Sequence, residues 1–324
     1  MENDRPVVGV DLGGTKILSA VVRADGAILA RAKLPTEASG GLEHVIDRIA
    51  QSVFDAVREA RLSPADVPAM AVGSPGPLDP HKGIILEAPN LGWKNVPLGA
   101  ELEKRTGIKT FVENDVDMGT LGEFVFGAAK GADSVLGVFV GTGIGGGIII
   151  HGKLLRGAAG VAGEIGHIVV KRNGAACNCG GRGCMEAYAG RWAVARYIHK
   201  AVRKGRRSSV ARVVKGDHVN LTSGTLRSAW RADDKLVRKA LTRACKYLGA
   251  GIGSVVNLLS PEVVVIGGGV FEALGKELLP ITVKHIRRNA MEASLRNVRI
   301  VLAALGDDAN VLGASVAARQ RLCE

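Results

Sequence analysis

Between Glu164 and Glu186 the chain reads EIGHIVVKRNGAACNCGGRGCME. Cys177, Cys179, Cys184 and His167 fall in one short glycine-rich segment with a carboxylate at each end. Three thiolates and an imidazole make a complete tetrahedral zinc set with no open position, so the expected metal is structural. Gly180, Gly181 and Gly183 let the backbone turn tightly enough for the sulfurs to converge. A lone cysteine pair is more often buried filler, but packing explains poorly why three of the five cysteines share one segment. Disulfides fit badly too, because three is odd and the start MENDRPVVGVDLGGTK has no secretory pattern. Cys245 and Cys323 read as plain thiols, and His44, His81, His151, His199, His218 and His285 as ordinary surface or core residues.

Two glycine loops suggest phosphate chemistry. Asp11-Leu12-Gly13-Gly14-Thr15-Lys16 lacks the spacer and trailing Lys-Ser/Thr of a Walker A motif. Gly13 and Gly14 can still aim several N–H groups at one point, as in an anion-binding nest, and Thr15 adds a hydroxyl donor. Asp11 could hold Mg²⁺ through water, since magnesium keeps its waters and takes few protein carboxylates. A plain hairpin turn is the alternative. Gly141-Thr142-Gly143-Ile144-Gly145-Gly146 matches G-x-G-x-x-G, but the dinucleotide fingerprint needs a helix next. Gly147 and Ile148 to Ile150 favour a strand instead, so a second phosphate hairpin, with Thr142 in the part of Thr15, fits better. Gly267-Gly268-Gly269 follows an apolar strand and precedes a helix, a corner where an adenosine can lie against bare backbone.

These residues need particular elements beneath them. Pro6–Val10 and Ile17–Val22 read as strands around the first glycine turn, and Val135–Val140 with Ile148–Ile150 repeats the pattern, which suggests an internal duplication. Leu42, Val45, Ile46, Ile49, Val53 and Val57 follow helical spacing. Strands are expected at Ala69–Val72, ahead of a Ser74–Pro77 loop, at Lys109–Val112 and at Glu262–Ile266. The last helix should run from Asp308, as its cap, to Arg319. The expected division is residues 1–115 plus 306–324 as a smaller α/β domain and 116–305 as a larger one carrying the zinc segment.

Length and charge narrow the class. At 324 residues with 47% hydrophobic content, two globular domains are affordable. The apolar stretch Leu241–Leu259 contains Arg243, Lys246 and three glycines, so it reads as a core helix, not a membrane span. The cytoplasm is the default expectation. A net charge of +12 raises nucleic acid as a partner, but aromatic content of 4% leaves few stacking platforms, and neither zinc-finger spacing nor a helix-turn-helix unit is evident. The basic run around Lys200–Lys215 reads as a solvated face.

E-x-G-H at Glu164–His167 followed by C-x-C-G-x-x-G-C-x-E at Cys177–Glu186, with the glycine hairpins and the GGG corner, resembles the ROK family of sugar kinases and sugar-responsive repressors. The resemblance covers almost the whole chain. It implies an actin/hexokinase-like, ribonuclease H-like α/β fold of two domains closing over a cleft. It further implies transfer of the γ-phosphate of ATP to the 6-hydroxyl of glucose, with N-acetylmannosamine, N-acetylglucosamine, mannose and fructose as alternative substrates. By the same resemblance Asp115 is the general base and Asn114 contacts the sugar. Glu164, His167 and Glu186 hold sugar hydroxyls, and Asn90 and Gly76 lie on the substrate side. Asp11, Gly13, Gly14, Thr15 and Lys16 grip phosphates together with Gly141, Thr142 and Gly143, while Gly267, Gly268 and Gly269 face adenosine. A homodimer is the family expectation. Repressors of the family carry a helix-turn-helix domain before the first hairpin, and only ten residues precede Asp11 here, so a DNA-binding role would fall to the basic segment. Two features depart from the family pattern: Ala189-Gly190 stands where many members have Ala-Ser, and the Lys200–Lys215 run is not a family signature.

Overall fold

The computed structural model describes residues 5–214 and 221–324; His218 and Lys215, the end of the basic run, lie outside the described residues. The chain groups into two compact units. Unit one comprises Met1–Asp133, Gly147–Ala162 and Asp307–Glu324, and unit two comprises Ser134–Gly146 and Gly163–Gly306.

Unit one opens with β1 (Val7–Leu12), β2 (Lys16–Val22), β3 (Ile28–Pro35) and α1 (Leu42–Glu59). Next come β4 (Ala69–Ser74), a small meander of β5 (Leu78–Asp79), β6 (Ile84–Ala88) and β7 (Trp93–Val96), then α2 (Leu98–Thr106), β8 (Lys109–Asn114) and α3 (Asp115–Val125). The main sheet has the order β3-β2-β1-β4-β8. β1 pairs antiparallel with β2 and parallel with β4, which pairs parallel with β8. Central strands covered on both faces read as continuous apolar runs, and in β1 only Asp11 is not fully buried. Of the helical stripe expected for α1, Val45, Ile46, Ile49, Val53 and Val57 are buried and join Val8, Val10 and Met70 in a single core, whereas Leu42 at the first turn is exposed.

The second sheet has the order β11-β10-β9-β12-β13, from β9 (Val135–Val140), β10 (Ile144–Ile150), β11 (Lys153–Leu154), β12 (Val263–Gly267) and β13 (Arg299–Leu302). β9 pairs parallel with β12, and β12 with β13. The connectivity repeats that of the first sheet, as the duplicated hairpins suggest. Unit two carries β9, β12, β13, α4 (Glu186–Ala189), α5 (Arg191–Arg203), α6 (Ser223–Arg231), α7 (Lys235–Leu259), α8 (Gly269–Asn289) and α9 (Glu292–Leu295), while Gly147–Ile150 of β10 and all of β11 fall in unit one. No helix among the described residues is long and apolar enough to cross a membrane.

The last helix, α10 (Ala309–Leu322), packs on α3 and β1 within unit one. A Cβ on Gly313 would stand 1.8 Å from the Met118 carbonyl oxygen, so only glycine permits this crossing. Asp308 precedes α10 but does not cap it through its side chain. Its carboxylate is taken by Arg31 of β3, with Nε and Nη2 donating at 3.2 and 2.6 Å. A bidentate guanidinium offers this acid more than a backbone N–H does.

Candidate functional site

In unit one the first glycine turn is braced from behind. Gly13 N–H donates to the Lys16 carbonyl at 2.9 Å, and the buried Thr36 donates its hydroxyl to Gly13 O at 2.6 Å. Gly14 and Thr15 are exposed. Asn90 lies beside Gly14, on which a Cβ would stand 3.6 Å from the Asn90 Cβ. Asp11 Oδ1 accepts from Asn310 Nδ2 at 2.8 Å. Burial pushes the Asp11 carboxyl up, against the opposing pull of Asn310 and Lys16. Lys16 gives its ammonium to Asp307 at 2.8 Å, and that hydrogen bond holds Asp307 below the usual carboxylate range. Asp11 is thus a desolvated acid whose nearby cation is spent elsewhere, which suits a hydrated Mg²⁺.

The strand–helix junction at Asn114-Asp115 has its own supports. Asn114 is the N-cap of α3, its Oδ1 accepting from Val116 N–H at 2.9 Å and Asp117 N–H at 3.1 Å. Asp115 is the first helical residue, with Oδ1 accepting from Val116 N–H at 2.9 Å. A carboxylate there lies at the positive end of the helix dipole. Glu113, buried one residue earlier, takes Nε and Nη2 of Arg156 at 3.1 and 2.9 Å, with Arg321 at 3.4 Å. Gly76 turns the chain after β4 with φ 89°, and a Cβ there would strike the Glu87 carbonyl oxygen at 2.1 Å.

In unit two the four expected metal ligands converge: the donor atoms of His167, Cys177, Cys179 and Cys184 all lie within 4.8 Å of one another. Cys179 Sγ stands 3.7 Å from Cys184 Sγ, and Cys177 Sγ stands 3.7 Å from His167 Nδ1. Tetrahedral zinc with Zn–S near 2.3 Å puts sulfurs about 3.8 Å apart, so the donor set fits that ion. Burial pushes the Cys184 thiol up to about 12 and raises Cys177, while the Gly181 N–H lowers Cys179. Metal binding must therefore expel protons. With Nδ1 turned to the sulfurs, His167 Nε2 faces Glu164 Oε2 at 3.8 Å. That distance is too long for a direct hydrogen bond and too short for an oxygen to sit between the two atoms, so one hydroxyl could touch both only from the side.

Glu186, two residues past Cys184, is buried and already engaged. Its Oε2 accepts from Ile144 N–H at 2.9 Å and its Oε1 from the Trp192 indole at 3.1 Å. A Cβ on Gly143 would lie 2.4 Å from that same Oε2. The segment after α4 grips the same turn: Arg191 N–H donates to Gly141 O, Trp192 N–H to Thr142 O, and Arg191 Nη2 to the Thr142 hydroxyl at 2.7 Å. The metal segment and the second glycine turn therefore form one hydrogen-bonded body. Gly267, Gly268 and Gly269 sit at the β12–α8 corner, beside a cavity of about 320 Å³ lined in part by Arg227, Arg231 and Lys276.

A profile of the ROK family matches residues 7–321. The chain belongs to the ROK family. It is similar to a glucokinase of Thermotoga maritima, at 37% identity over 98% of both chains. It is also similar to a solved ROK family glucokinase of Streptomyces griseus in complex with glucose and AMPPNP, at 34% identity and TM-score 0.82 over 97% of this chain and 99% of that one. A xylose repressor of Caldicellulosiruptor bescii is 29% identical over 95% of this chain and 76% of its own length. The fold of this ROK chain is the actin/hexokinase-like α/β fold.

Sequence reasoning missed Asn310, Asp307, Thr36, Arg156, Arg191 and Trp192. Trp192 lies only six positions from Glu186, but the others reach their partners from 23 or more positions away and left no sequence signal.

Proposed function

We propose that this ROK protein is an ATP-dependent glucokinase that phosphorylates the 6-hydroxyl of glucose. The observation that carries the reading lies in unit two: the Cys₃His cluster places His167 Nε2 3.8 Å from Glu164 Oε2, so that both atoms can reach one hydroxyl approaching from the side. A sugar hydroxyl there accepts from Nε2–H and donates to the carboxylate. Glu186 keeps further lone pairs for a second hydroxyl while its two protein donors hold it still. The near-full-length likeness to glucokinases supports glucose as the sugar.

Asp115 is the general base. A primary hydroxyl is a weak nucleophile, and accepting its proton as it attacks contributes about 10²–10⁴ in rate. The Val116 N–H orients the carboxylate at the start of α3, ready to take that proton. Asn114 spends its carbonyl on capping, which leaves its amide hydrogens to donate to a sugar oxygen. Phosphoryl transfer otherwise needs positioning and charge neutralisation. Gly13, Gly14 and Thr15 supply one set of donors, and Gly141, Thr142, Gly143 and Arg191 the other. Asp11 would hold Mg²⁺ through water, and the ion would neutralise phosphate charge. Zn²⁺ would be held by His167, Cys177, Cys179 and Cys184 as a structural clamp.

The testing experiment is a panel of hexoses with Mg-ATP, following ADP release. Glucose should give the highest kcat/KM, above mannose, fructose, N-acetylglucosamine and N-acetylmannosamine. Preference for another hexose would move the substrate assignment within the family. No turnover with any sugar, joined to sequence-selective binding of duplex DNA, would replace the kinase reading with that of a regulator.

A further inference from the structure

Behind the metal segment, unit two holds a cavity of about 620 Å³ that none of the assignments above uses. Four cations line it: Arg196, Lys200 and Lys204 from α5 and its C-terminus, and Arg243 from α7. No Asp or Glu is among its lining residues, and among the described residues none of the four makes an ion pair. The rest of the lining is four alanines and Tyr197, so the floor is apolar and the charge is of one sign.

The spacing of these cations is regular. Positions 196, 200 and 204 share one face of α5, about 6 Å apart along the axis at 1.5 Å per residue. Like charges at that spacing oppose helix formation. The negative C-terminal end of α5 offsets this for Lys200 and Lys204, but it does not explain Arg243 on a different helix. Among the described residues Arg243 is compensated only by aromatic faces, with Tyr188, Tyr197 and Tyr247 at 5.1, 4.9 and 5.0 Å from its guanidinium carbon. Arg196 lies over Trp192 at 4.6 Å and donates to Ala176 O and Ala187 O, each at 3.3 Å. Those carbonyls sit beside Cys177 and Glu186.

We propose that this cavity is a second ligand site that takes a small molecule carrying two phosphate groups. Successive phosphates meet successive cations of α5, Arg243 closes the far side, and the ligand body lies on the alanines and Tyr197. A phosphate drawn to Arg196 competes with its bonds to Ala176 and Ala187, so occupancy is felt at the metal segment.

The test is calorimetric titration of the full chain, with glucose and a non-hydrolysable ATP analogue present in excess to fill the reaction site. Inorganic pyrophosphate and a hexose bisphosphate are the two probes, the first carrying charge alone and the second charge with an apolar body. One site per chain is expected, tighter for the bisphosphate. K200A/K204A should weaken it about tenfold or more, as loss of charge-assisted contacts implies. R206A/R207A removes equal charge from the same run outside the cavity and should change affinity by less than about twofold. Neither pair touches the reaction site, so ATP-dependent turnover without the probe should persist in both. Absence of binding in the unaltered chain, or equal loss in both variants, overturns the proposal. The comparison of variants decides it even if the chain phosphorylates no sugar.

Discussion

Glu186 holds two parts of unit two together through both of its oxygens. Its oxygens accept from Ile144 N–H and the Trp192 indole, which binds the metal segment to the second glycine turn. Glu186→Gln keeps the shape but not the capacity, since an amide oxygen can serve only one donor while its NH₂ opposes the other. The variant should lose about 1–3 kcal/mol of stability, read as a lower denaturant midpoint. Gly143→Ala attacks the same contact from the other side, because its Cβ would crowd Oε2. Displacing the turn should lower kcat about a hundredfold, measured with saturating glucose and ATP. At this scale the sequence was informative about types and poor about partners. The acids, cysteines and glycines were visible as chemistry, but that Glu186 meets a backbone N–H 42 positions away depends on how β10 and α4 pack.

Among the elements, the metal segment has the largest predicted effect. It is not a regular helix or sheet; it closes on bridges between Val169 and Cys184 and between Ala176 and Arg182, and on the convergence of its ligands. Chelation of zinc, or Cys179→Ala, should lower Tm by about 10 °C or more for a chain of this size. The Glu186–Ile144 bond ties the metal segment to the second glycine turn, so affinity for an ATP analogue should fall together with affinity for glucose. A second element-level prediction concerns Asp234, which caps α7 through Leu236 and Val237 and also accepts from Ser208 and Ser209. Burial works to raise its pKa, but the Val237 N–H and the two serines outweigh it and hold it low. A depressed folded pKa contributes stability that is full above the unfolded value and lost as pH falls through the folded one. Asp234→Ala should therefore cost about 2 kcal/mol near neutrality, and the gap to the unaltered protein should narrow below about pH 4. Denaturant titrations at two pH values check both. The central strands Val7–Leu12, Val135–Val140 and Val263–Gly267 and the core of α1 were legible because apolar period is local, whereas the cap expected at Asp308 was not made. The position of β10 was not legible, since glycines at 145–147 look like loop until a neighbouring strand pairs with them.

For the whole molecule, the repeated strand order of the two sheets was foreshadowed by two apolar–glycine–apolar hairpins. The units were less readable, because each is assembled from separated stretches of chain. Gly9 and Gly313 let α10 settle on β1 and α3, which brings Asn310 to Asp11 across almost the full sequence. The net charge of +12 carries no address in the sequence; the fold collects part of it around one cavity. The central claim is that a ROK scaffold of this form phosphorylates glucose with Asp115 accepting the proton. Its most direct measurement is Asp115→Asn, assayed both for glucose binding by calorimetry and for glucose 6-phosphate formation with Mg-ATP. Binding should stay within about threefold, while turnover falls by about 10³ or more. Turnover within about tenfold of the unaltered protein would contradict the account.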